Sequence, residues 1–298
     1  MKHLKNEEIA SFTTLKIGGP AKNTYFPENL SEFEDLLRTV KNPLILGNGS
    51  NVLVSSNGVD ADVIFTTALC GMSVDFDTVT FDCGVKCAKA SLFAEQNSLA
   101  GLEFLAGIPG TIGGVVFMNA SAHGQSVSDI FEECSVFDLS TGKNFVLKRE
   151  EMDFGYRHTV LETKPYIVLN ATFRLKRGDG AEIHSLIKKN LEFRKQCQPS
   201  LLFPNAGSTF KNPEFDSAGR LLDKAGMKAK KIGSAKVWEN HANFIVNTGG
   251  ATSRDVSELM YLMKKSVLDK YTINLTPEVR YIGSPDEREK EIWEFLKK

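Results

Sequence analysis

The stretch LAGIPGTIGG constrains this chain more than any other feature. Residues Leu105 to Gly114 contain four glycines beside Pro109, which has no backbone N–H. Glycine loses more conformational freedom on folding than any other residue, so such a cluster costs stability unless it is needed. The stretch therefore predicts either a sharp bend of the main chain or a close approach of the backbone to a ligand.

A second glycine-containing loop, Gly47 to Asn51, lies between two apolar runs in PLILGNGSNVLVS. This pattern predicts two strands joined by a turn. The usual phosphate-binding motifs do not fit either loop. The chain has no G-x-x-x-x-G-K-[ST] string, Val52 replaces the third glycine of G-x-G-x-x-G, and the glycine spacing after Gly107 is wrong. A nucleoside triphosphatase and a Rossmann dinucleotide site are both disfavoured.

Two interpretations of these loops remain open from the residues alone. Backbone N–H groups in glycine-permitted conformations form concave nests that hold phosphate oxygens, so two such loops could bind a diphosphate. Alternatively, both loops are tight connections between strands. Small polar side chains near the loops favour the ligand, because a diphosphate or a ribose would use them. They are Asn48, Ser50, Asn51, Thr111 and Asn119.

Composition excludes several classes of protein. With 298 residues, 42% of them hydrophobic, and a formal charge of -1, we expect a globular protein of two or three domains, with no field that attracts nucleic acid or an anionic membrane. The N-terminus lacks a signal peptide and no run of eighteen apolar residues occurs, so we expect a cytoplasmic location. Five scattered cysteines argue against a disulfide framework, and Cys83 and Cys87 lack the second ligand pair of a zinc site. We expect ordinary half-buried thiols.

Periodicity predicts both helices and strands. Residues Ser31 to Glu34 have the form of a capping box that opens an amphipathic helix. Alternation from Tyr166 to Leu175 predicts a strand with one buried face, in a mostly antiparallel sheet. Charge and glycine at 176–180 predict a domain boundary. Ser253 is expected to cap a helix with an apolar stripe, and Trp293 to anchor a terminal helix.

Seven segments together resemble one family of enzymes. They are IGGPA (Ile17 to Ala21), ILGNGSNVL, GLEFLAGIPGTIGGVVFMNASAHG, FGYRHT, NAGSTFKNP, HANFIVN and LTPEVRYIG. In this order they are similar to the UDP-N-acetylenolpyruvoylglucosamine reductase (UDP-N-acetylmuramate dehydrogenase) family, flavoenzymes of bacterial peptidoglycan precursor synthesis. Each segment alone is a weak signal, but the series covers nearly the whole chain.

The resemblance implies an α+β fold. A vanillyl-alcohol-oxidase/PCMH-type FAD-binding domain, made of two α+β subdomains, is followed by a smaller α+β substrate-binding domain. The implied ranges are 1–75 and 76–178 for the FAD-binding subdomains, 179–275 for the substrate-binding domain, and 276–298 for a C-terminal segment returning toward the active site. The short run from Arg157 to Tyr166 implies the shorter subtype, which lacks the substrate-capping insertion of longer members.

The resemblance also implies the cofactors: noncovalent FAD, NADPH as its reductant, and no metal. The glycine loops thereby gain a specific ligand. The implied cofactor-binding residues are Gly47, Asn48, Gly49, Ser50, Asn51, Gly107, Ile108, Pro109, Gly110, Thr111, Gly113, Gly114, Asn119 and His123. This chain has Ser121, His123 and Thr159 where the family usually has glycine, tyrosine and serine, which puts flavin packing near His123 in doubt.

In the family, NADPH reduces the flavin and leaves, and UDP-N-acetylglucosamine enolpyruvate then enters the same cleft. Hydride goes to the terminal carbon of the enol ether and a proton to the carbon bearing the carboxylate. This chemistry needs a cation and a proton donor. Arg157 matches the catalytic arginine, whose planar fork binds a carboxylate; Ser208 matches the proton donor; Glu278 matches a carboxylate that assists the proton or the enol form.

Five further residues are implied substrate contacts: Tyr156, Lys211, Asn212, His241 and Asn247. Lys211 offers charge and Asn212 offers two donors and an acceptor to the substrate's diphosphate. From the residues alone, Arg157 could be a surface arginine, Ser208 a turn serine, Glu278 part of an ion pair with Arg280, and His241 a buried histidine bonded to backbone. We expect a monomer.

Two other functions are compatible with a flavin fold. One is a flavin oxidase that uses oxygen on another alcohol or sugar, and the other is a non-catalytic sensor of flavin redox state or of a nucleotide sugar. The oxidase gives no reason for Arg157, Ser208 and Glu278 to occur together. The sensor predicts a flavin that a reductant bleaches and that no enolpyruvyl nucleotide restores.

Overall fold

Helices and strands alternate along the chain in the computed structural model, which describes residues 1–200 and 202–298. The helices are α1 (Leu30–Thr39), α2 (Cys87–Gln96), α3 (Ile112–Phe117), α4 (Val127–Ile130), α5 (Gly180–Cys197), α6 (Ala218–Lys224), α7 (Ser253–Tyr271) and α8 (Glu287–Lys297). The strands are β1 (Lys2–Glu8), β2 (Pro20–Phe26), β3 (Leu44–Leu46), β4 (Val52–Val54), β5 (Val63–Phe65), β6 (Met72–Asp75), β7 (Thr78–Asp82), β8 (Leu99–Ala100), β9 (Ser121–Ala122), β10 (Gln125–Ser126), β11 (Phe131–Asp138), β12 (Lys143–Lys148), β13 (Tyr166–Arg174), β14 (Lys176–Arg177), β15 (Asn205–Ser208), β16 (Lys231–Ile232), β17 (Ala235–Val237), β18 (Phe244–Asn247) and β19 (Arg280–Ile282).

Packing divides the chain into two units, each assembled from separate stretches of sequence. The first unit comprises Met1–Leu4, Thr24–Asn48 and Asp62–Arg194, and the second comprises Lys5–Asn23, Gly49–Ala61 and Lys195–Lys298. Each unit has its own buried apolar cluster. The four functional ranges implied by the sequence concern flavin and substrate binding, and they stay a prediction.

The first unit is built on a five-stranded antiparallel sheet in the order β12-β11-β13-β7-β6. Strand β13 is central. Leu169, Ala171 and Phe173 of the predicted face are buried, which confirms the strand predicted there, but Val168 on the opposite face is buried as well. Helix α3 packs on β13 and β7. Strand β5 pairs in parallel with β2 and β3. The glycine-rich stretch therefore leads directly into a helix held on the main sheet.

The second unit contains an antiparallel sheet in the order β15-β18-β17-β16 and the parallel pair β4 and β19. Helix α7 packs against α8, α6, β16 and β17. The predicted stripe of Val256, Leu259, Met260, Met263 and Val267 is buried, so it is a core face as expected. In α8, Trp293 is buried and its Nε1 donates to Ser257 Oγ at 2.9 Å.

Two local predictions, both of helix caps, are wrong. Helix α1 is capped by Asn29, whose Oδ1 accepts from Glu32 N at 3.0 Å, not by Ser31. Helix α7 is capped by Thr252, which forms a capping box with Asp255, so the expected cap at Ser253 is one residue too late. Polar residues of similar capping chemistry that are close in sequence compete for the same helix start. The two strands predicted on either side of Gly47 to Asn51 are present as β3 and β4, and each pairs with a strand distant in sequence: β3 with β5 and β4 with β19.

The thiols are more buried than the sequence suggested. Cys83, Cys87 and Cys134 are fully buried, and Cys70 is exposed. Burial raises the pKa of Cys87 and of Cys134 to about 12, and raises that of Cys83 further. In the described part of the chain, no cluster of three His, Cys, Asp or Glu side chains is arranged to hold a metal ion. Of the described helices, none combines the length and apolar character needed to cross a membrane.

Candidate functional site

The first unit brings the start of one glycine loop against the other. Asn48 Nδ2 donates to Pro109 O at 2.6 Å. A Cβ atom on Gly47 would overlap Thr111 Oγ1, so only glycine allows the two loops to approach this closely. The predicted cofactor residues Gly47, Asn48, Pro109 and Thr111 therefore form one cluster.

Part of the glycine-rich stretch makes backbone hydrogen bonds and close packing contacts within the first unit. The N–H groups of Ile108, Ile112 and Gly113 donate to the carbonyls of Leu105, Val85 and Cys83 at 2.8–2.9 Å. A Cβ atom on Gly113 would lie 2.9 Å from Cys83 Cβ, and one on Gly107 would overlap Arg194 Cδ. These contacts account for two of the glycines as packing requirements. They also mean that three N–H groups of the expected nest already have carbonyl partners.

The other two glycines have no such packing requirement. A Cβ atom on Gly110 would come no closer than 3.5 Å to its nearest neighbour, Val115 Cγ1, and one on Gly114 would lie 3.7 Å from Thr111 Oγ1. Both distances are ordinary van der Waals contacts. Gly110 is itself buried and in contact with its neighbours, whereas Gly114 is exposed, so of the two only Gly114 has an open face.

Thr111 supplies a direct test of whether this loop fits a polar ligand. Its side chain is buried, and within residues 1–200 and 202–298 its Oγ1 has no hydrogen-bond partner. A buried hydroxyl without a partner is costly, and a ligand oxygen would supply the missing bond. The unpartnered hydroxyl and the exposed backbone of Gly114 fit the diphosphate expected here.

The remainder of the first glycine loop belongs to the second unit. Gly49 adopts a φ of 59°, and its carbonyl accepts from Thr14 N at 3.2 Å. Asn51 Nδ2 donates to Glu278 O at 3.1 Å, and Asn51 O accepts from Arg280 N at 3.0 Å. The structure therefore places a predicted cofactor residue, Asn51, beside a predicted catalytic residue, Glu278.

Ser208 lies at a β-bulge. Strand β15 pairs Asn205 with Val246 and Ser208 with Phe244, so it carries one more residue than β18 over this interval. Gly207, in the left-handed region with a φ of 75°, occupies the bulge, and its N–H donates to Asn205 Oδ1 at 3.0 Å. Bulges redirect the following side chain and are frequent near active sites. Ser208 is half-buried.

The segments carrying Ser208 and Glu278 are held together by backbone and by one buried amide. Glu278 N donates to Thr209 O at 2.9 Å, and Phe210 pairs with Pro277. Asn243, buried beside them, accepts from Phe210 N at 2.9 Å and donates to Phe210 O at 2.8 Å. Two of the three predicted catalytic residues are thus brought together within the second unit.

The predicted substrate contacts of the second unit have varied surroundings. Lys211 N donates to Thr276 O at 2.8 Å, and Asn212 Oδ1 accepts from Ala218 N at 3.0 Å. His241 packs edge to face on Phe244 with ring centroids 4.9 Å apart, and burial lowers its pKa. Asn247 is buried; it donates to Leu15 O at 3.1 Å and accepts from two backbone N–H groups.

In the first unit, Arg157 lies on a tight turn. Gly155 and His158 exchange backbone hydrogen bonds at 3.1 and 3.2 Å, and Arg157 between them adopts a φ of 54°. Positive φ is rare for a residue other than glycine and marks a position that its surroundings hold in place. The guanidinium carbon of Arg157 lies 5.4 Å from the ring centroid of Tyr156, which is exposed.

Asn119 holds this turn. Its Nδ2 donates to Gly155 O at 2.8 Å, and its Oδ1 accepts from Ser128 N at 3.0 Å. Both polar groups of the side chain are therefore bonded to backbone. The structure gives Asn119 a visible role in supporting Arg157, in addition to the flavin contact that the sequence suggested and that stays a prediction.

His123 lies at the tip of the β9–β10 hairpin with a φ of 54°. Its ring packs edge to face on Phe193 with centroids 5.5 Å apart. Burial and the nearby Arg194 guanidinium lower its pKa, which favours the neutral imidazole. Burial also lowers the pKa of Arg194, whose stem covers Gly107.

Sequence reasoning assigned no role to three residues that lie beside predicted site residues of their own unit. They are Ser121, whose Oγ accepts from Arg157 Nη1 at 2.8 Å, Asn243 beside Ser208, and Arg194 over Gly107. Ser121 and Asn243 both occur within segments that carried the family resemblance, so the segments were the available signal. Arg194 lies in a charged helix where no pattern distinguishes it from its exposed neighbours.

Comparison with known proteins gives the same family along the chain. Residues 21–147 match the FAD binding domain, and residues 198–282 match the C-terminal domain of UDP-N-acetylenolpyruvoylglucosamine reductase. The reductase of Caldicellulosiruptor saccharolyticus is 39% identical over 289 residues, which cover 95% of this chain and 93% of that protein. The reductase of Bacillus velezensis is 40% identical over 288 residues, covering 95% and 94%. The crystal structure of the reductase from Thermus caldophilus superposes with a TM-score of 0.80 at 33% identity and covers 94% of this chain and 98% of that one.

These matches confirm the predicted fold class, with its FAD-binding domain, and the predicted enzyme class, an FAD-containing oxidoreductase that uses NADPH. They do not favour the flavin oxidase or the sensor. At this identity and coverage, the chain belongs to the UDP-N-acetylenolpyruvoylglucosamine reductase family.

Proposed function

We propose that this chain reduces UDP-N-acetylglucosamine enolpyruvate to UDP-N-acetylmuramate with NADPH, as a cytoplasmic step of peptidoglycan precursor synthesis. The observation that carries the proposal is the 39–40% identity to reductases of that name over 95% of the chain. We propose that the protein acts as a monomer, with FAD-binding subdomains at 1–75 and 76–178, a substrate-binding domain at 179–275 and a C-terminal segment at 276–298 that returns toward the active site.

FAD would be held at its diphosphate by the loop that contains Gly110, Thr111 and Gly114, with Gly47 and Asn48 beside it. The unpartnered Thr111 hydroxyl and the exposed backbone of Gly114 support this placement. When bound, the flavin supplies the acceptor for hydride from NADPH and the donor of hydride to the substrate. The other predicted cofactor residues, Gly49, Ser50, Asn51, Gly107, Ile108, Pro109, Gly113, Asn119 and His123, complete the proposed flavin site.

Arg157 is proposed to bind the carboxylate of the enolpyruvyl group. Reduction moves negative charge toward this carboxylate, so a cation fixed in advance lowers the barrier more than one that must reorganise. A guanidinium keeps its charge at all working pH values and can bind both carboxylate oxygens. The constrained backbone of Arg157 and its contact with the Tyr156 ring support a fixed role.

Ser208 is proposed to donate the proton to the carbon that bears the carboxylate. A serine hydroxyl is a weak acid, so it can serve only where the acceptor is strongly basic and within hydrogen-bond reach. The developing charge on this carbon meets the first condition. The bulge at Gly207, which determines where the Ser208 side chain points, supports the second.

Glu278 is proposed to assist Ser208. Its backbone bond to Thr209 keeps it one residue from Ser208 in the paired segment, where its carboxyl group, when protonated, could replace the proton that Ser208 gives to the substrate. Lys211 and Asn212 are proposed to contact the substrate's diphosphate, and Tyr156, His241 and Asn247 to line the substrate site.

The variant Ser208→Ala tests the assignment of the proton donor. We expect NADPH to bleach the flavin absorption at the normal rate, and its return on addition of the enolpyruvyl nucleotide to slow by about a hundredfold or more. Ser266→Ala, at a half-buried serine whose hydroxyl donates to Leu262 O within α7, is the matched control and should behave as the wild type. Unhindered return of the absorption in Ser208→Ala would show that Ser208 is not the donor.

A second variant, Arg157→Lys, tests the assigned carboxylate contact. It keeps the positive charge and loses the planar fork, so we expect the substrate-dependent step to slow by about tenfold or more. Turnover close to the wild-type rate would contradict two-point binding of the carboxylate.

A further inference from the structure

Ser121 lies on a short, well-fixed hairpin. Strands β9 and β10 pair Ser121 with Ser126, and the two residues of the turn, His123 and Gly124, both have positive φ. Ser126 then caps α4: its N–H donates to Asp129 Oδ2 at 2.7 Å, as part of a capping box. The backbone position of Ser121 is therefore set by a closed turn on one side and a capped helix on the other.

Two side-chain hydrogen bonds join the same segment to the turn that carries Arg157. Asn119 bonds Gly155 O, and Thr159 Oγ1 donates to Phe117 O at 2.9 Å. Both bonds fix backbone on either side of Arg157. They place the arginine's Cα but leave the long side chain to be oriented by other contacts.

Ser121 provides one of those contacts. Its Oγ accepts from Arg157 Nη1 at 2.8 Å, the usual length for a hydrogen bond from a charged nitrogen. An arginine side chain has large rotamer freedom, so a bond to a fixed hydroxyl lowers the number of orientations that the guanidinium samples. The Tyr156 ring, 5.4 Å away, is exposed, and its contact with the guanidinium is a weaker restraint than a hydrogen bond.

We propose that Ser121 is a positioning residue that fixes the Arg157 guanidinium for the substrate carboxylate. This inference rests on the proposed function, because it assumes the role of Arg157 given above. Ser121 acts through Arg157 and does not itself bond the substrate. Removing the Ser121 hydroxyl should therefore slow only the reaction of the reduced flavin with the enolpyruvyl nucleotide, in which Arg157 binds the carboxylate.

The test compares Ser121→Ala, Ser121→Thr, Arg157→Ala and the double variant Ser121→Ala/Arg157→Ala. Each protein is bleached anaerobically with NADPH and then mixed with the enolpyruvyl nucleotide, and the rates of both steps are measured separately. For Ser121→Ala we expect a normal rate of bleaching and about a tenfold slower return of the flavin absorption. Ser121→Thr keeps the hydroxyl and should recover most of that loss.

The double variant separates positioning from any other role. If Ser121 works through Arg157, removing it from Arg157→Ala should change the rate by less than about twofold, since the group that it orients is gone. Ser128→Ala is the control on the same segment: its hydroxyl bonds Ser126 and does not contact Arg157.

Three results would overturn the proposal. They are a wild-type rate in Ser121→Ala, an equal slowing of both steps, and a tenfold further loss in the Arg157→Ala background. Thermal unfolding of each variant accompanies the rates, and a variant that melts like the wild type has kept its fold. Failure of the proposed function itself is visible separately, because the wild-type flavin would then not recover its absorption with the nucleotide.

Discussion

Thr111 carries a buried hydroxyl for which the described residues provide no hydrogen-bond partner. If a ligand supplies that partner, Thr111→Val should have opposite effects on folding and on binding. In the protein freed of FAD, the change removes an unsatisfied polar group while keeping the shape, so we expect stability to stay equal or to rise by up to about 1 kcal/mol. FAD affinity should fall by about tenfold, because the ligand loses a bond.

Thermal unfolding of the FAD-free protein and titration with FAD, followed by flavin fluorescence, measure the two effects. Thr172→Val is a suitable control, because its hydroxyl bonds Thr80 at 2.9 Å within the sheet. Unchanged FAD affinity in Thr111→Val would remove this hydroxyl from the proposed flavin site.

His158, next to Arg157, should titrate above the usual range. Hydrogen bonds to Glu162 at 2.8 Å and to Asp153 at 3.3 Å favour the charged imidazolium and raise the pKa of His158. Because the pKa of His158 is higher in the folded state than in the unfolded state, its ion pairs stabilise the folded protein fully below about pH 6.5, the ordinary histidine pKa. This stabilisation is lost as the pH rises through the folded-state pKa of His158.

The variant Glu162→Gln should therefore lower the pKa of His158 toward its ordinary value and reduce stability slightly at pH 6. At pH 8.5 the variant and the wild type should be nearly equal, since the histidine is neutral in both. NMR titration of the histidine ring and urea unfolding at the two pH values check both parts. A stability difference that persists unchanged at pH 8.5 would indicate a role for Glu162 other than pairing with His158.

At the scale of elements, the packing of α3 leaves no space for a side chain at Gly113 but leaves space for one at Gly114. A Cβ on Gly113 would lie 2.9 Å from Cys83 Cβ and 3.2 Å from Cys83 O, while one on Gly114 meets nothing closer than 3.7 Å. We therefore expect Gly113→Ala to destabilise the FAD-free protein by about 1–3 kcal/mol through overpacking. Gly114→Ala should be neutral or stabilise by up to about 1 kcal/mol, because alanine is the better helix former.

Urea unfolding of the two variants without FAD makes this comparison internally controlled, since both changes lie in the same helix. Equal destabilisation of the two would mean that α3 does not pack on Cys83 as described. The contrast also separates glycines that the fold requires from glycines that leave room for a ligand.

Element types were largely predictable from sequence, and element ends were less so. The apolar stripe of α7 from Val256 to Val267 and the alternation of β13 could be predicted from the spacing of apolar residues. Side chains that recur with the period of a helix or strand lie on one face, and that face is the one buried in the core. The caps at Asn29 and Thr252 were misassigned because neighbouring Asn, Ser and Thr residues offer similar acceptors. Which one is used depends on where the preceding backbone enters the helix.

At the scale of the whole molecule, the limits of sequence reasoning come from contacts between distant residues. Asn51 and Glu278 are 227 positions apart and share a hydrogen bond, as do Thr14 and Asn205, 191 apart. No local pattern reports such pairs, so the assembly of the second unit from three separate stretches was not foreseen. For the same reason Asn119 was predicted only as a flavin contact, although it holds Gly155 across 36 positions.

The family resemblance supplied what local patterns could not. It indicated Ser208 and Glu278 as acting together, and the structure joins their segments through Thr209 and Asn243. It did not indicate Ser121, because the resemblance transfers roles only where this chain matches the family. Ser121, which stands where the family usually has glycine, contacts Arg157.

The most direct test of the account is one anaerobic experiment on the purified protein. NADPH is added first and UDP-N-acetylglucosamine enolpyruvate second, while the visible flavin absorption is followed. We predict that NADPH bleaches the absorption, that one equivalent of the nucleotide restores it, and that UDP-N-acetylmuramate is formed in the same amount. A protein that takes up no FAD, or a bleached flavin that only oxygen restores, would contradict the account.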